Sequence, residues 1–302
     1  MRVDNPGSND CAAAIGHAWD DSRFEMGNGG LFPHSGSRNL KPEAGQSGEK
    51  DNMGSNKSGK PRVALITGGV RGIGRAVAVS LARRGWAVAV CYRKSQAEAA
   101  TLKSELESCN ARSLLVHTDV SDPANAETLV RLVERDCGRI DALINCIGAY
   151  HRVPVLQESI EGWQEMFDHN LNTVFYLSRA AAPGMMARGC GRIINFSVVN
   201  ADQQTAQPFV TAHYIAKIGV LVLTRSLAKA LAPHGITVNC ISPGFIETGG
   251  VPPEELAQSF KSIPAGYMGS PEDAVGAVHY LLSDEARYVN GANIQLSGAW
   301  GV

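Results

Sequence analysis

A cluster of glycines after a short apolar segment constrains the fold more than any other feature of the chain. Residues 63–74 read VALITGGVRGIG. The apolar, partly β-branched start predicts a buried strand of a parallel sheet, and Gly68 permits a sharp turn after it. Gly72 and Gly74 remove side chains where backbone must approach a phosphate and where a helix packs on the strand. The helix that begins at Ile73 would then point its free N–H groups at an anion.

Composition excludes several classes of protein. The chain has 302 residues, a formal net charge of −1 and 44% hydrophobic residues, which suits a globular protein. Near-neutral charge without a long Lys/Arg cluster argues against nucleic-acid binding. The sequence has no uninterrupted apolar stretch of about 18 residues, so no membrane span is predicted. The seven cysteines are scattered and form no CxxC pair. They predict reduced thiols of a cytoplasmic protein and no metal site.

From Pro61 onward, apolar strand patterns alternate with helical patterns. Such closely spaced βα units predict an α/β fold, a three-layer, doubly wound, Rossmann-like parallel sheet in a single domain. The predicted strands are Val63–Thr67, Ala87–Cys91, Ser113–His117, Ala142–Asn145, Arg192–Ser197, Thr237–Ile241 and Asn293–Leu296. The predicted helices are Ile73–Arg84, Ala97–Ser108, Ala124–Asp136, Ile160–Arg188, Thr211–Leu231 and Pro271–Leu282.

Two segments lack regular patterning. Residues 1–60 are rich in Gly, Ser, Asn and Asp, and are predicted to be a disordered extension that precedes the folded domain at 61–302. This extension is interpreted either as a regulatory tail or as an over-called start, with translation beginning near Met53. The segment from Glu247 to Met268 is predicted to be a lid over a site, with a short helix near Glu254–Phe260.

Residues 61–302 resemble the short-chain dehydrogenase/reductase family. The glycine run has that family's Thr-Gly-x-x-x-Gly-x-Gly spacing, and further landmarks follow in the family's order. HTDV at 117–120 is similar to its acidic adenine-binding turn, and NCIG at 145–148 to its Asn-Asn-Ala-Gly segment. Asn170 lies where the family has a catalytic asparagine, and PGFIET at 243–248 is similar to the segment that lines the nicotinamide. Within the family, 3-oxoacyl-[acyl-carrier-protein] reductases are most similar.

The resemblance implies a nicotinamide dinucleotide as cofactor. The strand predicted at 87–91 continues into Tyr92-Arg93-Lys94, with two cations and no carboxylate for a ribose 2′-hydroxyl. Guanidinium groups suit a 2′-phosphate, so NADP(H) is favoured over NAD(H). The implied cofactor-binding residues are Gly68, Arg71, Gly72, Ile73, Gly74, Arg93, Asp119, Val120, Asn145, Gly148, Lys217, Pro243, Gly244, Ile246 and Thr248.

The catalytic pattern of the family, Tyr-x-x-x-Lys, is shifted by one residue. Tyr214 precedes Lys217 by three positions, and His213 precedes it by four. On a helix these two positions differ by about 100° of rotation. Three hypotheses remain open. His213 acts as general acid in place of the tyrosine, or a helix irregularity brings Tyr214 into position, or the chain binds the cofactor without efficient catalysis.

The other catalytic positions implied by the resemblance are only partly matched. The family's strand ends in two serines, the second catalytic, whereas this chain has Ser197 followed by Val198. Ungapped counting places Val198 at the catalytic position, and a one-residue deletion places Ser197 there. Asn170 matches directly, and the resemblance implies that it anchors a water chain that resupplies protons.

These observations predict an NADPH-dependent carbonyl reductase acting on a small molecule, a 3-oxoacyl thioester or a similar ketone. The alternative is a non-catalytic NADP(H)-binding relative that serves as a sensor or a partner subunit. Residues 218–223 read IGVLVL, apolar all round a predicted helix. Such a helix predicts a homodimer or homotetramer.

Overall fold

The computed structural model describes residues 54, 59–109, 111–248 and 261–301. Most of the predicted extension over residues 1–60 and the predicted short helix at Glu254–Phe260 lie outside these residues.

A seven-stranded parallel sheet forms the centre of the described fold, in the order β3-β2-β1-β4-β5-β6-β7. The spatial order changes direction between β1 and β4, the position at which open α/β sheets bind ligands. In register, Thr67 at the end of β1 lies beside Cys91 of β2 and Asn145 of β4, so these strands end together. The strands are β1 Val63–Thr67, β2 Ala87–Tyr92, β3 Ser113–His117, β4 Ala142–Asn145, β5 Gly191–Phe196, β6 Ile236–Pro243 and β7 Asn293–Leu296.

Helices cover both faces of the sheet, which confirms the three-layer, doubly wound fold. Because side chains alternate along a strand, Ala64 and Ile66 join the core under α1, α2 and α7. Val63 and Leu65 join the core under α3, α5 and α6. The helices are α1 Gly72–Arg83, α2 Gln96–Ser108, α3 Pro123–Cys137, α4 Ile160–Phe167, α5 Thr173–Arg188, α6 Thr211–Leu231 and α7 Pro271–Leu282.

The helix predicted over Ile160–Arg188 is interrupted. A five-residue π-helical turn, Asp168–Asn172, separates α4 from α5. Within this turn, Asn170 Nδ2 donates to Met166 O at 2.9 Å, one turn earlier. π-Turns of this kind are frequent at functional sites, and this one carries the asparagine of the sequence prediction.

The outward face of α6 is apolar. Val222 is 56% exposed and Ile215 is 42% exposed, and Phe175 on α5 is 45% exposed. The homo-oligomer predicted from this segment stays a prediction. Among the described residues, no helix has the length and apolarity required to cross a membrane.

We predict that Ile144→Ala destabilises the fold strongly. Ile144 is fully buried in β4, and truncating a fully buried isoleucine leaves a cavity that costs about 2–5 kcal/mol. Ile160→Ala is the matched control, because Ile160 is 69% exposed at the start of α4 and should change stability by less than about 0.5 kcal/mol. Urea unfolding followed by circular dichroism measures both. Equal midpoints for the two variants would contradict the burial of Ile144 in the core.

Candidate functional site

A cleft of about 670 Å³ opens at the carboxyl ends of the central strands. Eight of the sequence-predicted cofactor residues line it: Gly68, Arg71, Gly72, Arg93, Asp119, Val120, Gly148 and Thr248. Eight other lining residues had no predicted site role of their own: Val70, Tyr92, Ser95, Thr118, Cys146, Ile147, Ala149 and His169. Four of them lie inside the segments 63–74, 117–120 and 145–148, and the other four are next to a residue singled out from the sequence, so position in sequence was the available signal. Ile73, Gly74, Asn145, Lys217, Pro243, Gly244 and Ile246 are not in the cleft lining.

The glycine loop forms one wall of the cleft because no side chain fits there. Gly68 and Gly72 have φ values of +63° and +49°, a conformation that favours glycine. A Cβ on Gly74 would lie 2.7 Å from Gly68 O and 2.9 Å from Gly69 Cα. The first turn of α1 therefore packs directly on the backbone after β1, and its N-terminus is available to an anion.

Cationic side chains collect at the end of β2. Arg93 Nη1 donates to Asp119 Oδ2 at 3.1 Å and lies 2.8 Å from His169 Nε2. Burial alone would raise the pKa of Asp119, but hydrogen bonds from Ser121 and from Arg93 outweigh it and the pKa is lowered. Arg93 is therefore engaged with two side chains of the cleft wall. Two exposed cations, Arg71 and Lys94, line the same end of the cleft.

Asn145 is held inside the fold at the end of β4. Its side chain is 2% exposed and its Nδ2 donates to Asn195 Oδ1 at 2.8 Å. Asn195 Nδ2 in turn donates to Thr224 Oγ1 at 2.9 Å. This buried chain of hydrogen bonds connects β4, β5 and α6, so Asn145 fixes the relative positions of the elements that carry the site.

Asn170 and His213 share one backbone acceptor beyond the end of β4. Asn170 Nδ2 and His213 Nδ1 each lie 3.0 Å from Ala149 O. A Cβ on the neighbouring Gly148 would lie 2.9 Å from Asn170 Oδ1 and 3.2 Å from Lys217 Nζ. Three of the five sequence-predicted catalytic residues thus converge on the dipeptide Gly148-Ala149, which lines the cleft.

The oxygen of the Asn170 side chain is buried and unpaired. Asn170 has no exposed surface, and its Oδ1 has no hydrogen-bond partner among the described residues. A buried acceptor of this kind is costly unless it is satisfied by a ligand or a water molecule. Its proximity to Gly148 and the ammonium of Lys217 indicates a polar binding position between α6 and the π-turn.

Lys217 is a buried cation. Its side chain is nearly inaccessible, and Nζ donates to Phe196 O at 3.0 Å. Burial lowers the pKa of Lys217 to about 8, while the thiols of Cys240 and Cys146 act in the opposite direction. At neutral pH the group is therefore mostly charged but easily deprotonated.

Tyr214 lies on another side of α6 from His213. The described α6 is an unbroken α-helix, and Tyr214 N donates to Val210 O at its start. The Tyr214 hydroxyl donates to Asn200 O at 2.5 Å and lies 3.3 Å from Thr205 Oγ1. The phenol hydroxyl is therefore held by the β5–α6 connection, and among the described residues its hydrogen bonds go to Thr205 and Asn200 and not to Ala149, Asn170 or Lys217.

The imidazole of His213 is shifted toward its neutral form. Burial is the largest cause, and the charges of Lys217 and His151 add to it. The hydrogen bond to Ala149 O acts in the opposite direction, and the net result lowers the pKa of His213 to about 4.

The two candidates for the family's serine position, Ser197 and Val198, have different surroundings. Ser197 is buried, and its Oγ donates to the backbone oxygen of Lys217 at 2.7 Å. That hydrogen bond fixes α6 against β5. Val198 is half-buried and packs against an apolar cluster that includes Val174 and Leu221.

The segment after β6 approaches the glycine loop. Gly244 N donates to Leu296 O at 2.8 Å, and Ile246 bridges to Gly269. A Cβ on Gly72 would lie 3.2 Å from Thr248 Cγ2. Thr248 therefore lies across the cleft entrance from the N-terminus of α1.

Comparison with known proteins gives concordant results. Residues 68–299 match the family model described as Enoyl-(Acyl carrier protein) reductase. The chain is 35% identical over 241 residues to a 3-oxoacyl-[acyl-carrier-protein] reductase of Vibrio harveyi, covering 78% of this chain and 96% of the relative. A Staphylococcus aureus reductase of the same description is 35% identical over 240 residues, with the same shares covered.

Solved structures show the same fold. A putative short-chain alcohol dehydrogenase from Sinorhizobium meliloti superposes with a TM-score of 0.75 at 29% identity, covering 80% of this chain and 96% of that one. A short chain dehydrogenase from Bacillus anthracis superposes with a TM-score of 0.73 at 32% identity, covering 80% and 97%.

We predict that His213 makes the fold sensitive to acid. Between about pH 6.5 and pH 4 the unfolded imidazole binds a proton that the folded one refuses, so stability falls as pH falls. Between pH 7 and pH 5 this difference in proton binding lowers the free energy of unfolding by about 2 kcal/mol. Thermal unfolding at both pH values should show a smaller loss for His213→Gln than for the unmodified chain. Equal losses would indicate that His213 titrates normally in the folded protein.

Proposed function

Because the chain belongs to the short-chain dehydrogenase/reductase family, we propose that it is an NADP(H)-dependent oxidoreductase that reduces a ketone, with 3-oxoacyl thioesters as the first substrate class. The observation that carries this proposal is the convergence of Asn170, His213 and Lys217 on Gly148-Ala149 at the cleft wall. A protein that only binds a dinucleotide has no need of a buried imidazole and a buried, unpaired amide oxygen beside its cleft.

The described residues fit a dinucleotide. The glycine loop leaves room that a Cβ would fill, and it lies at the N-terminus of a twelve-residue helix. Asp119 and Val120 would hold the adenine end, and Lys217 and Thr248 the nicotinamide end. When bound, the nicotinamide supplies or accepts a hydride at its ring. Asn170 Oδ1 would gain a polar partner, and Lys217 would keep its charge close to the reacting oxygen.

The choice of NADP(H) rests on the cations at the end of β2. Arg93 is bound to Asp119, whereas Arg71 and Lys94 are exposed at the cleft. We propose that these two exposed cations hold a 2′-phosphate. No carboxylate follows β2 within Arg93-Lys94-Ser95 to bind a ribose 2′-hydroxyl instead.

The substrate class follows the relatives that reduce 3-oxoacyl groups. We propose that residues 61–302 form the catalytic domain of a cytoplasmic homo-oligomer, whose subunits meet through the apolar outer face of α6. Residues 249–260 of the predicted lid, Glu247–Met268, lie outside the described part of the chain.

We predict that the purified full-length chain oxidises NADPH in the presence of a carbonyl compound. Absorbance at the nicotinamide band would be followed with an acetoacetyl thioester and a panel of small ketones. Lys217→Met should lower kcat/KM by about 100-fold or more, because it removes the charge beside the site. Lys229→Met on the exposed side of the same helix is the matched control and should retain activity. NADPH binding seen by tryptophan fluorescence, without turnover of any carbonyl, would instead support the binding-only alternative.

We predict that Arg71→Ala and Lys94→Ala each weaken NADPH binding about tenfold, since each removes a charged donor to phosphate. NADH binding should change little in either variant. Arg131→Ala, a surface substitution on α3, is the control. Titration calorimetry with both dinucleotides measures the effect, and equal losses for NADH and NADPH would contradict a 2′-phosphate site.

A further inference from the structure

The hydrogen bond between His213 and Ala149 determines which nitrogen of the imidazole carries the proton. A carbonyl oxygen only accepts, so Nδ1 at 3.0 Å from Ala149 O must donate. In a neutral imidazole the other nitrogen, Nε2, then has a lone pair and no proton. Nε2 is thus the nitrogen of His213 left for substrate, and in the neutral ring it is an acceptor.

The groups that face His213 oppose a positive charge on it. On α6, Lys217 lies one helical turn further along and is buried. Tyr150, in the loop after β4, packs edge-on against the imidazole, with the two ring centroids 5.2 Å apart. The neighbouring His151 has its Nε2 2.6 Å from Glu158 Oε2. Asn170 of the π-turn contributes a neutral amide to the same carbonyl. Among these neighbours, the one carboxylate is already paired with His151.

We propose that His213 replaces the family's tyrosine and acts through Nε2 as the base that takes the hydroxyl proton when an alcohol is oxidised, and as imidazolium when a ketone is reduced. This inference rests on the proposed function. In the oxidation, the carbinol O–H proton goes to Nε2 and the carbinol hydrogen leaves as hydride to oxidised dinucleotide. In the reduction, the carbonyl carbon gains hydride and its oxygen gains the Nε2 proton, which solvent then replaces.

This assignment has a kinetic signature. Above the pKa of His213, about 4, nearly all of the enzyme is in its base form. The kcat/KM for oxidation is then independent of pH, and the kcat/KM for reduction falls tenfold for each pH unit. A tyrosine with its pKa above the working pH gives the opposite pattern. The kcat/KM for reduction is then independent of pH, and the kcat/KM for oxidation rises tenfold for each pH unit. In both patterns the ratio of kcat/KM for oxidation to kcat/KM for reduction rises tenfold per pH unit. The reaction equilibrium requires this, because the overall oxidation releases one proton.

The first test measures kcat/KM in both directions between pH 5.5 and 7.0, at least one pH unit below the pKa of Lys217, about 8. It uses the full chain and whichever ketone–alcohol pair is turned over in the carbonyl panel. The inference is supported if kcat/KM for oxidation is independent of pH and kcat/KM for reduction falls tenfold per pH unit. The reverse pattern overturns it. His213→Tyr recreates the Tyr-x-x-x-Lys spacing and should exchange the two slopes.

Two variants act as comparisons. Tyr214→Phe should keep the slopes of the unmodified chain, because the Tyr214 hydroxyl is bonded to Asn200 O. A loss or exchange of slopes in Tyr214→Phe would return the catalytic role to Tyr214 and overturn the inference. His279→Gln is the matched histidine control: burial also lowers the pKa of His279 to about 4, but its ring contacts Ser80 between α1 and α7. It should keep the slopes.

A second readout does not depend on turnover. Nitrogen chemical shifts of ¹⁵N-labelled histidines, with His213 assigned by its absence in His213→Gln, report the tautomer directly. A neutral ring protonated at Nδ1 from pH 5.5 to 7.5 supports the inference, and protonation at Nε2 or of both nitrogens overturns it. If the Nδ1–H form is found but no pair turns over in either direction, the proposed function fails. If turnover occurs with the reversed slopes, only the inference fails.

Discussion

The parallel register at the switch between β1 and β4 is the constraint on which the site depends. Thr67, the last residue of β1, uses its Oγ1 to accept the backbone N–H groups of Cys146 and Ile147 at 3.0 and 3.2 Å. These two bonds turn the chain after β4 toward the glycine loop and leave Ala149 O directed at Asn170 and His213. The cleft wall and the convergent side chains therefore follow from one pairing of strand ends.

The rotation of α6 decides which side chain reaches that carbonyl. Lys217 is fixed twice, since Nζ donates to Phe196 O and its own carbonyl accepts from Ser197 Oγ. With Lys217 fixed and the helix unbroken, the residue four positions earlier faces the same side. That residue is His213, while Tyr214 turns to Asn200. The one-residue offset in sequence therefore places an imidazole, and not a phenol, beside Ala149 O.

Local pattern was sufficient for the sheet but not for the site. β1, β3, β4 and β7 have the predicted bounds, because each is a short apolar run bounded by turn or polar residues. The π-turn was not predictable, since it depends on Asn170 reaching Met166 O and a carbonyl 21 residues away in sequence. The three hypotheses for His213 and Tyr214 stayed open for the same reason. Choosing between them requires the hydrogen-bond partners of both side chains, and those partners come from distant parts of the sequence.

A buried lysine acts differently on a phenol and on an imidazole. A phenol is neutral when protonated, so a nearby ammonium stabilises the phenolate and brings a pKa of about 10 down toward neutral pH. An imidazole is charged when protonated, so the same ammonium opposes that charge and moves a pKa of about 6.5 further below neutral pH. Lys217 and burial both act on His213 in this second sense. As long as the lowered phenol pKa stays above the working pH, a tyrosine beside a buried lysine rests in its acid form, whereas a histidine there rests in its base form. If His213 transfers the proton as proposed, a histidine in place of the family's tyrosine conserves proton transfer and reverses the resting protonation state.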